Sequence, residues 1–261
     1  MKTTLITGGS GGIGETFARK LAARGHNLFL VARSEDKLKG LCAELGEKHG
    51  IKAEYLAADL SETGSDVGVF ERSNSLGLEI DWLINNAGFG SMGDFTDLEL
   101  ERELEMIRLN IGTLVALTHR FLPGMRARRR GTVINVSSSA SFQPIPFMAT
   151  YAATKAFVTS FSEALAEENR PFGVTVTALC PGPTETNFFE AAGMESSSIS
   201  VKPPQTADEV VDTALAAADK GRTKVVPGWV NYAVATAGNF VPNSFIVRTI
   251  SKKLRPKYQK G

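Results

Sequence analysis

Cysteine and histidine are scarce in this chain. Cys42 and Cys180 stand far apart and outside any C-x-x-C pair, which excludes a disulfide-stapled fold and a thiolate metal centre. Both are expected to be plain core residues of a protein in a reducing compartment. His26, His49 and His119 show no metal-ligand spacing, so no metal is expected. Excess charge is missing too: 29 basic residues against 28 acidic ones leave +1, too little to hold a nucleic acid backbone. No apolar signal core fits before the glycine run that begins at Gly8, and the expected address is the cytoplasm. Residues 225 to 247 carry no charge and are long enough to span a bilayer. Pro227, Asn231, Asn239, Pro242 and Asn243 nevertheless spoil a spanning helix, and residues 131 to 154 are just as free of charge.

What is present is an ordinary globular composition over 261 residues, with 43% hydrophobic and 22% charged side chains, enough for a sizeable core. Short runs of Val, Ile and Leu alternate with longer amphipathic stretches, the pattern of βαβ units around a parallel sheet. Seven strands are expected, at about 3 to 7, 28 to 32, 53 to 58, 81 to 85, 132 to 136, 174 to 180 and 224 to 227. One helix should bury Phe17, Ala18, Leu21 and Ala22 and stop at Gly25; the next should start from Ser34 as N-cap. Residues 98 to 130 hold one long helix or two abutting ones, and 150 to 170 another. No composition break divides the chain, so a single domain over 1 to 261 is expected. It would carry a substrate lid at about 187 to 205 and a basic amphipathic extension at about 231 to 261.

Directly after the first strand comes TGGSGGIG, Thr7 to Gly14, followed at once by a helix. Glycines there permit a tight turn and let backbone N–H groups approach a pyrophosphate at the helix's positive end. An ordinary βα turn is the plain alternative. The second strand ends in Val31-Ala32-Arg33-Ser34. No carboxylate waits there for a ribose 2′-hydroxyl, whereas Arg33 can clamp a 2′-phosphate and Ser34 can donate a hydroxyl, which favours NADP(H) over NAD.

Tyr151 and Lys155 lie one helical turn apart on one face, and a nearby cation stabilises a phenolate that otherwise forms only near pH 10. A surface helix pair is the plain alternative. Ser138, thirteen residues upstream at a strand end, could flank a carbonyl together with Tyr151 and hydrogen-bond its oxygen. Asn110 interrupts a long helical stretch with a polar side chain.

With these residues in order, the chain resembles the short-chain dehydrogenase/reductase family over residues 3 to about 230. TGGSGGIG at 7 to 14, Asp59-Leu60, NNAG at 85 to 88, Asn110, Ser138, Tyr151 with Lys155, and Pro181 to Thr186 carry the likeness. The resemblance implies a single-domain Rossmann fold, α/β, its seven-stranded parallel sheet ordered 3-2-1-4-5-6-7 with helices on both faces. It implies that Tyr151 gives a proton to a substrate carbonyl, Lys155 holds the nicotinamide ribose and lowers the phenol's pKa, Ser138 orients the substrate and Asn110 holds a relay water. The implied cofactor site comprises Gly8, Ser10, Gly12, Ile13 and Gly14 in the turn, with Arg33, Ser34, Asp59, Leu60, Asn86, Ala87, Gly88, Tyr151 and Lys155. Pro181, Gly182, Thr184 and Thr186 would hold the carboxamide. One departure stands out: where NADP-preferring members often place a basic residue inside the turn, this chain has Ser10 and Gly11, so Arg33 must carry the preference.

The expected activity is hydride transfer between NADP(H) and a carbonyl or secondary alcohol of a small molecule. Phe89, Phe142, Phe147, Met148, Phe188, Phe189 and Met194 suggest an apolar ketone, acyl chain or steroid-like body, with ordinary packing as the plain alternative. NNAGFG at 85 to 90 and VARS at 31 to 34 resemble bacterial acyl or hydroxysteroid reductases. A homodimer or homotetramer built on the long helices is what the family likeness implies. The competing classes are a non-catalytic NADP-binding redox sensor and a membrane-peripheral, lipid-modifying reductase. The second draws on nine basic and no acidic residues between Lys220 and Gly261, with Ile250 and Leu254 at helical spacing. A solvated tail packed over the substrate mouth or a neighbouring subunit explains the same residues.

Overall fold

The computed structural model describes residues 2–186, 204–238 and 242–259. The expected lid, with Phe188, Phe189 and Met194, falls almost entirely outside the described residues. Seven strands form one parallel sheet: β1 Thr3–Thr7, β2 Asn27–Ala32, β3 Ala53–Ala57, β4 Ile80–Asn85, β5 Gly131–Val136, β6 Val174–Leu179 and β7 Lys224–Val225. Their order is β3-β2-β1-β4-β5-β6-β7, as expected. β1 and β4 are buried throughout, which is why they read as apolar runs rather than as alternation.

Helices cover both faces. On one side α1 (Gly12–Ala23), α2 (Glu35–His49) and the seventh helix, α7 (Ala207–Asp219), bury Phe17, Leu21, Leu38, Leu45, Val210 and Leu215 against the sheet. On the other, α3 (Ser65–Ser75), α5 (Leu114–Ala127) and α6 (Ala149–Asn169) bury Val69, Leu117, Phe121 and Ala166. The chain leaves α1 at Gly25, whose φ of 77° suits glycine. Ser34 stands at the N-cap of α2, but its hydroxyl makes no capping hydrogen bond. The stretch expected as one or two helices is three pieces. α4 (Leu100–Ile107) runs into a π-helical turn, Arg108–Thr113, which joins α5 and has Asn110 at its centre. Such turns insert an extra residue and frequently mark functional positions. Two further helices, α8 (Trp229–Gly238) and α9 (Asn243–Tyr258), close the chain.

A buried amide network ties the middle of the sheet together. Asn85 donates to Thr118 Oγ1 and to Asn135 Oδ1 at 2.8 Å, and Asn135 donates to Ser162 Oγ. Asn85 and Asn135 are register partners at the carboxyl ends of β4 and β5, so this network fixes the strand ends from which the site is built. Both cysteines are free and buried, and burial pushes the Cys42 thiol up to about 11, the behaviour of an inert core residue.

His26 bonds Thr4 Oγ1 at 2.8 Å and meets Trp82 edge-on. Burial pulls its pKa down to about 4, with Lys2 and Arg24 adding to the effect. The unfolded chain takes up that proton near pH 6.5, so the stabilising contribution is present above 6.5 and lost as pH falls toward 4. We expect a loss of about 2–3 kcal/mol across this window from this residue. Urea melts of the wild type and of H26N should diverge in slope there; parallel profiles would show that another group controls acid stability.

Candidate active site

At the carboxyl ends of the strands, between β1 and β4 where the strand order reverses, lies a cleft of about 1010 Å³. In open α/β sheets this is where ligands bind. One end is the glycine turn. Gly8 has a φ of 65°, and a Cβ on Gly14 would run into the Gly8 carbonyl, so the entry into α1 can close this tightly only with glycine. Thr7, which had no assigned role, is the fastener: its hydroxyl oxygen accepts from the N–H groups of Asn86 and Ala87 at 2.9 and 3.0 Å. The Asn86 amide in turn donates to the carbonyls of Thr7 and Gly8. Asn86, Ala87 and Gly88 therefore hold the turn as well as lining the cleft beside Gly8, Ser10, Gly12 and Ile13.

Arg33 also lines the cleft, with its side chain 71% exposed and a guanidinium nitrogen 3.9 Å from Asp59 Oδ2. So exposed and loose a pair adds little stability and leaves the guanidinium available to another anion. Lys37, one helical turn further on, lines the same end and was missed in the sequence because nothing distinguishes it from a solvated helix charge. The structure does not bring Ser34, Asp59 or Leu60 into the cleft lining. Asp59 is held by the hydroxyl and N–H of Ser61, which keep its carboxylate below the usual range, with Arg33 adding. Leu60 is buried in the core, where its carbonyl accepts from Thr113 and Ser65.

At the opposite end Tyr151 and Lys155 project from α6, both buried, with the ammonium 5.8 Å from the phenol ring centre. Lys155 Nζ donates to the Val136 carbonyl at 2.9 Å, and burial pulls its pKa down to about 8. Burial pushes Tyr151 up to about 12, opposed by a hydrogen bond with Ser138. Ser138 lies two residues past β5, lines the cleft, and its oxygen also accepts the Ala140 N–H. Ser137 steadies the same segment by donating to the Lys155 carbonyl.

Asn110 does not line the cleft. Its side-chain oxygen accepts the Phe89 N–H, and its amide nitrogen donates to the Phe89 carbonyl at 3.0 Å and to Thr154 Oγ1. Those contacts use both amide N–H donors and one acceptor site of the oxygen, and they fix the β4–α4 loop to α6. The segment 181 to 186 borders the cleft from β6: Pro183 and Glu185 bond the backbone of Gln205, and Thr186 approaches the face of Gly12. Asn231, on α8, donates to Gln205 Oε1 and supports this segment, a contact over 26 residues that local sequence could not reveal.

Around Tyr151 the wall is apolar. Phe89, Ala140, Ile145 and Met148 line the cleft there, and Met92, Met106 and, from α9, Leu254 belong to the same buried cluster. Phe142 also lines the cleft. Among the described residues no cluster of His, Cys, Asp and Glu could hold a metal ion.

The profile of the short chain dehydrogenase family matches residues 2–196. A very-long-chain 3-oxoacyl-CoA reductase of Rattus norvegicus is 31% identical over 98% of this chain and 81% of its own length. A short-chain dehydrogenase from Sphingobium yanoikuyae, solved with NADPH, superposes with a TM-score of 0.84 at 34% identity, over 94% of this chain and 95% of that one. A bulky-bulky ketone specific alcohol dehydrogenase from Comamonas testosteroni gives a TM-score of 0.77 at 30% identity, covering 92% and 94%.

Proposed function

The chain belongs to the short-chain dehydrogenase/reductase family of oxidoreductases, and on that premise we propose that it is an NADP(H)-dependent reductase of apolar ketones, acyl chains or steroid-like carbonyls. The observation that carries the substrate class is the apolar lining beside Tyr151, formed by Phe89, Ala140, Phe142, Ile145 and Met148. The similarity to the rat 3-oxoacyl-CoA reductase and to the bulky-ketone dehydrogenase of Comamonas supports the same class.

The residues present fit a dinucleotide: a glycine turn with no side chain in the way, a helix N-terminus behind it, and two cations, Arg33 and Lys37, at the ribose end. When bound, the nicotinamide supplies or accepts the hydride. The protein's own share is proton handling and orientation. Tyr151, protonated at neutral pH, gives its proton to the carbonyl oxygen as that oxygen gains charge. Ser138 donates a hydrogen bond to the same oxygen, and the Lys155 ammonium stabilises the phenolate left behind. Asn110 holds Phe89 and Thr154 in place around them; a water-holding part in the relay belongs to this proposal.

A panel of ketones and acyl thioesters of graded chain length with NADPH tests the substrate class: kcat/KM should rise with chain length, and a flat series would overturn it. Arg33→Ala tests the cofactor. A charge-assisted contact to the 2′-phosphate contributes about 1.5–3 kcal/mol, so KM for NADPH should rise about 10- to 100-fold while that for NADH stays put. Equal losses with both would make Arg33 structural. A cytoplasmic address is part of the same reading, supported by two buried unpaired thiols. So is a homo-oligomer: Leu100, Leu104 and Ile107 form an exposed apolar stripe on α4, and Phe157 is exposed on α6.

A further inference from the structure

α9 has two faces with different surroundings. Val247, Ile250, Leu254 and Tyr258 follow the i, i+3, i+7, i+11 spacing that keeps side chains on one side of a helix. Leu254 is buried with Tyr151 and Met148, Ile250 packs against the same cluster, and the Tyr258 ring stacks on Phe147 at 5.5 Å. Just beyond the helix, Gln259 bonds Asp94. This side packs on the apolar cluster that surrounds Tyr151.

Phe245, Arg248, Lys252 and Arg255 repeat at i, i+3, i+7 and i+10, which turns them to the opposite side, and all four are exposed. Phe245 is 66% exposed, in the first turn of α9. On the Rossmann body, Arg19, Arg24, Arg120 and Arg130 pair with carboxylates. Arg248, Lys252 and Arg255 enter no ion pair among the described residues. The imbalance extends through the end of the chain: residues 220 to 261 carry nine basic and no acidic side chains, and since the whole chain is +1, the other 219 residues sum to −8.

We propose that the outer face of α9 docks this enzyme on an anionic phospholipid surface. Basic residues alternating with an exposed aromatic ring suit the headgroup boundary, where the cations meet lipid phosphates and the ring enters the acyl edge. The acidic body is repelled by the same surface, which orients the molecule with α9 toward it. No described helix is long and apolar enough to cross a membrane, so the contact is peripheral. Because the inner face of α9 packs beside Tyr151, docking holds the substrate mouth at the bilayer, where an apolar carbonyl compound concentrates. That supply role rests on the reductase reading, whereas the docking itself does not.

Flotation of the full chain with phosphatidylglycerol or phosphatidylcholine vesicles at low salt tests it. The protein should float with the first and not with the second, and added salt should release it. Each basic residue near the surface is worth about fivefold in partitioning, so the triple variant R248Q/K252Q/R255Q should bind roughly 10²-fold more weakly. Its turnover of a small water-soluble ketone should be unchanged, which also reports that it folds. Absence of flotation with phosphatidylglycerol, equal flotation with both lipids, or an unaltered triple variant would overturn the proposal. So would a salt-sensitive rise in mass without vesicles that the triple variant abolishes, because the basic face would then join two copies of the chain. Flotation needs no catalysis, so a protein that floats and reduces nothing fails the reductase reading alone.

Discussion

Tyr151→Phe should lower carbonyl reduction by about 10²- to 10⁴-fold while leaving NADPH binding intact. The phenol is buried, held by Ser138 and pushed up to about 12, so at neutral pH it carries the proton it must give. Phenylalanine keeps the ring that packs with Phe89, Met148 and Leu254 and removes only the hydroxyl. The loss should therefore fall on kcat and kcat/KM together, as for an interaction made in the transition state. Single-turnover rates alongside NADPH fluorescence titration separate the two quantities. Turnover within a few fold of wild type would remove Tyr151 from the mechanism.

Lys155→Ala should cost at least as much, and should differ from Tyr151→Phe by weakening NADPH binding as well, since the ammonium faces the cleft between the phenol and the Val136 carbonyl. Burial lowers its pKa to about 8, so it is charged at pH 7 and loses the proton as pH rises past 8. In the reduction direction kcat/KM, which reports ionisations of the free enzyme, should be level below pH 8 and fall about tenfold per unit above it. The phenol, at about 12, stays protonated throughout that range. Lys155→Arg keeps its charge, so whatever activity it retains should lack the alkaline decline. A decline of the same midpoint in that variant would assign it to another group.

The positions of these two residues show how far sequence carried the site. Tyr151 and Lys155 were visible because a helix sets i and i+4 side by side, and Ser138 because it lies just past the end of a strand rich in Val and Ile. The glycine turn was visible because φ near +65° and an absent Cβ restrict residue choice within a few positions. Asn110 was found for its polarity, yet its clamp on Phe89 across 21 residues was not, because that needs the π turn and the β4–α4 loop in place. Lys37, Gln205 and Asn231 carried no local mark, and Thr7 opened the glycine motif without showing its role as fastener: a lysine or an amide on a helix or in a loop is ordinary until its partner arrives from elsewhere in the chain.

The sequence by itself determined the succession of the seven strands, the parallel sheet, the glycine turn and the placing of Tyr151 and Lys155 side by side, since each follows from periodicity or backbone restriction acting over a few residues. Only the tertiary structure decided which residues meet. It placed Leu60 in the core and Asp59 outside the cleft lining, made Asn86 a strut of the glycine turn, and laid Leu254 against Tyr151 from over a hundred residues away. Such contacts are fixed by how whole helices bury their apolar faces on the sheet, a sum over many distant residues that no short window of sequence contains.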